Sequence, residues 1–144
     1  AIVDQCIRIA YQSGNANNRI NRVQQVINRY PQADISRLRA SADTIARLRP
    51  SNNDYNQIRN IYRVLANRGT REQDRRAAIV LLENVLVNIN NSATRIIQNV
   101  NALNDVDRIL RDDGIPGFRR RVEFINNICT SLLQRAAQIR QRMP

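Results

Sequence analysis

Between residues 70 and 112 the chain contains neither Gly nor Pro. Across this stretch Ile79, Leu82, Leu86, Ile89, Ala93, Ile96, Val100 and Leu103 follow one another alternately three and four residues apart. That spacing draws an apolar seam along one side of a helix and predicts either one long helix or two nearly coaxial ones. Its first half, residues 77–89, is apolar on more than one side and is expected to be covered by neighbours. Everything else must pack around it.

The neighbours follow from the same spacing. Val3, Cys6, Ile7 and Ala10 predict a short helix over residues 2–11, ended by Ser13-Gly14. A second helix over 17–29 turns Ile20, Val23, Ile27 and Tyr30 inward and stops at Pro31. Asp34 is expected to cap a third helix reaching residue 49, with Ile35, Leu38, Ala42, Ile45 and Leu48 inward. A fourth spans 54–67, buries Tyr55, Ile58, Ile61, Tyr62 and Leu65, and is expected to close on Gly69 as a left-handed cap. Thr70, with Gln73 three residues on, then forms a capping box for the central helix. Asp107 stands where an inward apolar residue belongs, and Asp105, Asp107, Asp112 and Asp113 oppose the dipole of a helix C-terminus. The central helix is therefore expected to fray or end near Asp107. After a turn over residues 112–117, Val122, Ile125, Cys129, Leu132, Ala136, Ile139 and Met143 define a last helix. With 144 residues, 4% aromatic content and no Trp, the core must be built from Ile, Leu, Val and Ala. The predicted fold is all-α, one domain over residues 1–144, an antiparallel bundle of five or six helices with a long central and a long C-terminal helix.

Charge is the second constraint. The 23 cationic side chains face 12 acids, a formal net charge of +11. All the cations are Arg; Lys and His are absent. Arg carries a planar, permanently charged fork that grips carboxylate, phosphate or sulfate bidentately. Seven of the acids belong to the central segment, while residues 17–29 carry Arg19, Arg22 and Arg29 with no acid, so positive potential should gather on the outer helices.

Two Arg groups stand where helices begin. Arg68, Arg71, Arg75 and Arg76 surround the start of the central helix; Arg119, Arg120 and Arg121 open the last one. Cations there oppose the helix dipole unless an anion or an acid sits among them, so both groups are candidate anion-binding sites. The competing reading is internal pairing, with Glu72 and Asp74 serving the first group and Asp112, Asp113 and Glu123 the second.

Catalysis is not expected. No His is present to act as general base or metal ligand, both Cys lie on predicted inward faces, and Ser and Thr have no activating partner. The acid pairs at Asp105-Val106-Asp107 and Asp112-Asp113 lack the spacing of a calcium loop, so neither a metal nor a cofactor is expected. Cys6 and Cys129 are expected to form a disulfide clipping first helix to last, for roughly 4 to 5 kcal/mol by loop entropy. With the start Ala1-Ile2-Val3-Asp4, which carries no initiator Met, that bond points to a secreted protein. No stretch has the length and apolarity of a membrane span, so an integral membrane protein is not expected.

The function expected from these residues is a secreted binding protein that presents Arg to an anionic macromolecule or acidic protein: a sulfated glycan, an anionic lipid surface, an acidic protein or nucleic acid. Two alternatives stay open. One is a carrier of a hydrophobic small ligand such as a fatty acid in the bundle core. The other is a self-assembling structural protein such as a silk, glue or coat component.

Overall fold

Apolar residues at three- and four-residue spacing on every segment leave one economical solution, helices that turn their seams toward a common axis. The computed structural model describes residues 2–142, and all of its regular elements are helical. They are α1 (Ile2–Val26), α2 (Gln32–Leu48), α3 (Asn52–Ala66), α4 (Glu72–Gln98), α5 (Val100–Asp112) and α6 (Phe118–Gln141), with one turn of 3-10 helix at Ile27–Arg29. The all-α bundle expected from the spacing is the fold observed. Its centre is Leu82, Leu86 and Ile89 of α4, closed in by Ile9, Leu38, Ile58, Leu103, Phe118 and Leu132 from every other helix. Each such side chain contributes about 1.5 to 3 kcal/mol by leaving water.

α6 runs antiparallel along α4, so that Thr94 donates to Asn126 Oδ1 at 3.1 Å and, further along, Arg140 meets Glu83 at 2.6 Å. α1 packs on α3 and α6, and α2 on α5. Val122, Ile125, Cys129, Leu132 and Ala136 of α6 are buried in the expected phase, and Ile139 is half-buried against the core. Met143 lies outside the described residues.

Several boundaries differ from the expected ones, each for a local reason. Ser13-Gly14 does not end the first helix; α1 continues to Val26 and absorbs the second predicted helix. Gly14 is needed for closeness rather than for a break. A Cβ there would lie 3.0 Å from Cε2 of Tyr55, whose ring packs on the α1 backbone. Ser13, Ala16 and Asn17 keep the same crossing small, and all three are buried. α2 begins at Gln32 because Pro31 takes the cap position, leaving Asp34 in the first turn, where its charge complements the dipole.

Gly69 is not left-handed; the positive-φ glycines are Gly114 and Gly117. α3 ends instead on Asn67, whose Oδ1 accepts the Gly69 N–H at 2.9 Å. Thr70 caps backwards: its hydroxyl donates to the Val64 carbonyl at 2.7 Å, and Arg71 holds the cap position of α4 without a side-chain bond.

The central segment is two helices, not one. Asn99 breaks it with φ −86° and ψ 67°, and its side-chain amide donates to the Arg95 carbonyl at 2.8 Å. The break lets the chain change partners: α4 lies against α3 and α6, α5 against α2 and α1. Val100, expected inward, is 51% exposed at this joint, and the seam resumes at Leu103. Nor is the first half of α4 covered all round, since Val80, Leu81 and Val87 stand on its outer side, 41 to 48% exposed.

α5 also passes through Asp107 and ends at Asp112 rather than fraying. Asp107 turns to the next helix and accepts the Arg119 N–H at 3.1 Å, so the residue that interrupts one apolar phase caps the element that follows. Gly114, at φ 81°, closes α5 in a Schellman arrangement: its N–H goes to the Arg111 carbonyl and the Ile115 N–H to that of Leu110. Asp113 accepts from Arg22 at 2.8 Å and Arg29 at 3.1 Å, and Asp112 accepts from the Tyr30 hydroxyl at 2.6 Å. This latch ties the end of α1 to the end of α5.

Cys6 and Cys129 are both free and fully enclosed; the expected disulfide is not formed. Each sits at the predicted inward position, but in surroundings that treat sulfur as one more apolar filler. Burial pushes both thiols up to about 12, so neither is the thiolate that oxidation requires.

Three outcomes follow from this packing. Gly14→Ala should lower the urea midpoint in the presence of Tyr55. With Tyr55→Ala the same change should raise stability by about 0.5 to 1 kcal/mol, because only helix propensity remains; equal effects in both backgrounds would discard the contact. The native thiols should resist a disulfide reagent at pH 8 and both react on unfolding, with a mass that reductant leaves unchanged. For Asp113, the hydrogen bond from Arg22 comes first among the causes that hold its pKa low. A depressed carboxyl pKa contributes stability above the unfolded value near 3.9 and loses it as pH falls through the lower folded value. Asp113→Asn should therefore be less stable than the parent at pH 7, and the gap should close below about pH 4 in thermal melts. A gap unchanged down to about pH 2 would remove the latch as its cause.

Candidate anion-binding site

The seven Arg marked by sequence do not form two equivalent clusters. At the start of α4, Arg75 folds back over the end of α3, its Nη1 donating to the Leu65 carbonyl at 3.1 Å, its Nη2 to that of Asn67 and its Nε to that of Thr70. Leu65 lies in the last turn of α3, where carbonyls lack an intrahelical partner, and Asn67 and Thr70 belong to the turn that follows, so Arg75 is a cap and not a ligand-binding cation. Arg76 lies 3.7 Å from Glu72 one turn away. Arg68 and Arg71 are exposed, and neither forms an ion pair among the described residues. The first group is thus divided: Arg75 joins α3 to α4, Arg76 pairs within α4, and two remain outside both tasks.

Beside it lies a recess of about 560 Å³ floored by Ile61, Val64, Ala77, Ala78 and Leu81, with Arg71 and Asp74 at its edge. This apolar space is on the surface, between α3 and α4.

The start of α6 differs. Successive helical residues point about 100° apart, so Arg119, Arg120 and Arg121 diverge. Arg119 and Arg120 flank a groove of about 410 Å³ with Asp107, Arg111, Pro116 and Gly117. Arg121 turns the other way, to α1, where its Nη1 donates to Gln12 Oε1. Arg120 is exposed and borders both sides. Gly117, at φ 91°, lets the chain enter α6 so that this first turn stands clear of the loop.

The acids offered by sequence as internal partners do not serve this group: Asp112 and Asp113 are taken by Tyr30, Arg22 and Arg29, and Glu123 is exposed and forms no ion pair among the described residues. Asp107, which sequence did not offer, caps the Arg119 backbone N–H and pairs with Arg111 at 3.5 Å. Arg119, Arg120 and Arg121 are left without a carboxylate among the described residues. Arg19 joins them from α1, close enough that its charge, after burial, lowers the pKa of Arg121.

Arg19 and Arg111 are the members that sequence did not assign to a site. Arg111 stands one turn from Asp107 and was legible as its partner. Arg19 lies on a helix far away in the chain, and only the antiparallel packing brings it here.

Chemically, this end of the bundle offers guanidinium donors and positive charge. The acid pairs are otherwise engaged: Asp105 accepts from Arg37 at 2.7 Å and from Ser41 at 2.6 Å. Among the described residues, no group of three or more Cys, Asp or Glu is placed to hold a metal ion. No helix of the described chain is long and apolar enough to cross a membrane. Compared with family models, with curated proteins and with solved structures, the chain finds no match in any of the three.

Proposed function

We propose that this protein binds a polyanion, without catalytic chemistry of its own, through the Arg-rich end of the bundle where α6 begins. One observation carries the reading: Asp112 and Asp113 are committed to other partners, which leaves the Arg119, Arg120 and Arg121 guanidiniums without an ion-pair partner among the described residues. A fold that needed those cations for itself would have paired them, as it pairs Arg22, Arg37 and Arg140. Of one sign, with Arg120 exposed and Arg119 and Arg121 partly so, they attract regularly spaced phosphate or sulfate groups over a distance set by ionic strength. The exposed Arg68 and Arg71 at the start of α4 are secondary contacts in this scheme. Free, enclosed thiols persist in oxidising and reducing compartments alike, so they give the protein no address.

The test is binding to fluorescent heparin and to a labelled DNA duplex across a series of salt concentrations. Arg119→Gln with Arg120→Gln should weaken binding, leave helicity intact, and on the duplex make the slope of log affinity against log salt shallower by up to about 2. An affinity and slope equal to those of the parent would place the binding surface elsewhere.

A further inference from the structure

One pair of cations is arranged unlike the rest. Arg22, Arg37 and Arg140 cross between helices and each ends on a carboxylate. Arg121 also crosses, from α6 to α1, but ends on the neutral side chain of Gln12. Arg19, two turns from Gln12 and so on the same face of α1, is itself only partly exposed, and its charge adds to burial in lowering the pKa of Arg121. The Nε atoms of both are enclosed and have no hydrogen-bond acceptor. Two guanidiniums held together in partial burial repel each other, and each enclosed donor without an acceptor adds its own desolvation cost. Beside Arg121 opens a recess of about 300 Å³ bounded also by Gln12, Pro116, Gly117, Arg120 and Phe124.

We propose that the Arg19–Arg121 pair, with Arg120 at the rim of this recess, is a discrete site for a tetrahedral oxyanion, a phosphate or sulfate group. Such a group seated between the two forks offsets their repulsion and, with a turn of the terminal torsions, offers acceptors to the Nε–H donors. A tetrahedral oxyanion suits the pair better than a carboxylate does. It carries three or four oxygens pointing in different directions, against the two coplanar oxygens of a carboxylate, and so can serve both forks and the Arg120 guanidinium at the rim together. The recess has room for the group and for the first atoms of whatever carries it. The inference rests on the reading of this protein as an anion binder and gives that reading one specific, saturable centre.

The experiment is a titration of the whole protein with inorganic phosphate, and in parallel with sulfate, at constant ionic strength set by chloride. The readout is the set of arginine Nε–Hε nuclear magnetic resonances, with those of Arg19 and Arg121 assigned by Arg19→Gln and Arg121→Gln. Saturable shifts at Arg19 and Arg121, weakened at least ten-fold by Arg121→Gln and unaffected by Arg71→Gln, are expected. Arg121→Lys, which keeps the charge and loses the fork, should also weaken binding several-fold, and it decides the matter if the Gln variant fails to fold. Shifts spread evenly over Arg71 and the other exposed arginines, without saturation, would overturn the site. A nucleoside monophosphate or a sulfated disaccharide that binds ten-fold more tightly than the free ion assigns the group to a larger molecule. Equal affinities assign the site to the free ion. Saturation at the pair in a protein that ignores heparin and DNA would keep the site and remove the polyanion reading. Heparin binding with no saturable shift at the pair would do the reverse.

Discussion

Twelve carboxylates cannot serve twenty-three guanidiniums, and the placing of each carboxylate decides which arginines belong to the fold and which are left for other work. Asp113 holds Arg22 and Arg29, Asp105 holds Arg37, Glu83 holds Arg140, and each of these pairs joins elements remote in sequence. The acids act as rivets between helices more than as local neighbours. At the first turn of α6 a single carboxylate, Asp107, caps the backbone and pairs with Arg111, so the charge of three successive guanidiniums accumulates against the dipole that the helix itself supplies. An exposed pair contributes little to stability. Its larger effect is geometric, in fixing which cations stay bound to the bundle and which do not.

The exclusive use of Arg fits the same division. Arg75 spans three carbonyls at the α3–α4 junction, and Arg22 donates to both oxygens of Asp113. Both tasks use a planar fork with several fixed donors, which an ammonium group does not present. Arg59 and Arg108 lie over the rings of Tyr55 and Tyr30, a stacking role that suits a flat, weakly hydrated cation. A chain that substitutes planar cations for aromatic bulk can close helix junctions with very few Phe and Tyr.

Much of this architecture was legible in the apolar spacing. α6 could be read with its start and phase intact, because all its core positions lie on one face and Gly117 marks its beginning. α1 could not. Ser13-Gly14 looks like a stop until the ring of Tyr55 is seen against it, and no local rule reports that a glycine serves a neighbour on another helix. The break at Asn99 was hidden for a related reason: Asn is neutral enough within a helix that only the change of packing partner reveals its role. The cations show both limits together. Arg119, Arg120 and Arg121 were visible as a group, and the 100° step between them already implied that three in a row cannot converge on one ligand. Which of them stays near a second cation depends on α1 lying beside α6, and so Arg19 was out of reach.

The disulfide teaches a different point about inward cysteines. Facing the core from helices that touch is a weak condition, since two sulfurs must also meet within a narrow geometry. Here both occupy enclosed positions where a thiol packs as a small apolar group, and burial holds them protonated. The core therefore asks nothing of sulfur chemistry. It is closed by Ile, Leu and Val, latched at one end by Asp112 and Asp113, and sealed between α1 and α3 by residues small enough to let two backbones approach. Stability supplied that way leaves the Arg119 and Arg120 guanidiniums free of structural duty, even though Phe118 beside them closes the core, and side chains with no duty to the fold can keep a charge that an anionic ligand, rather than the protein, neutralises.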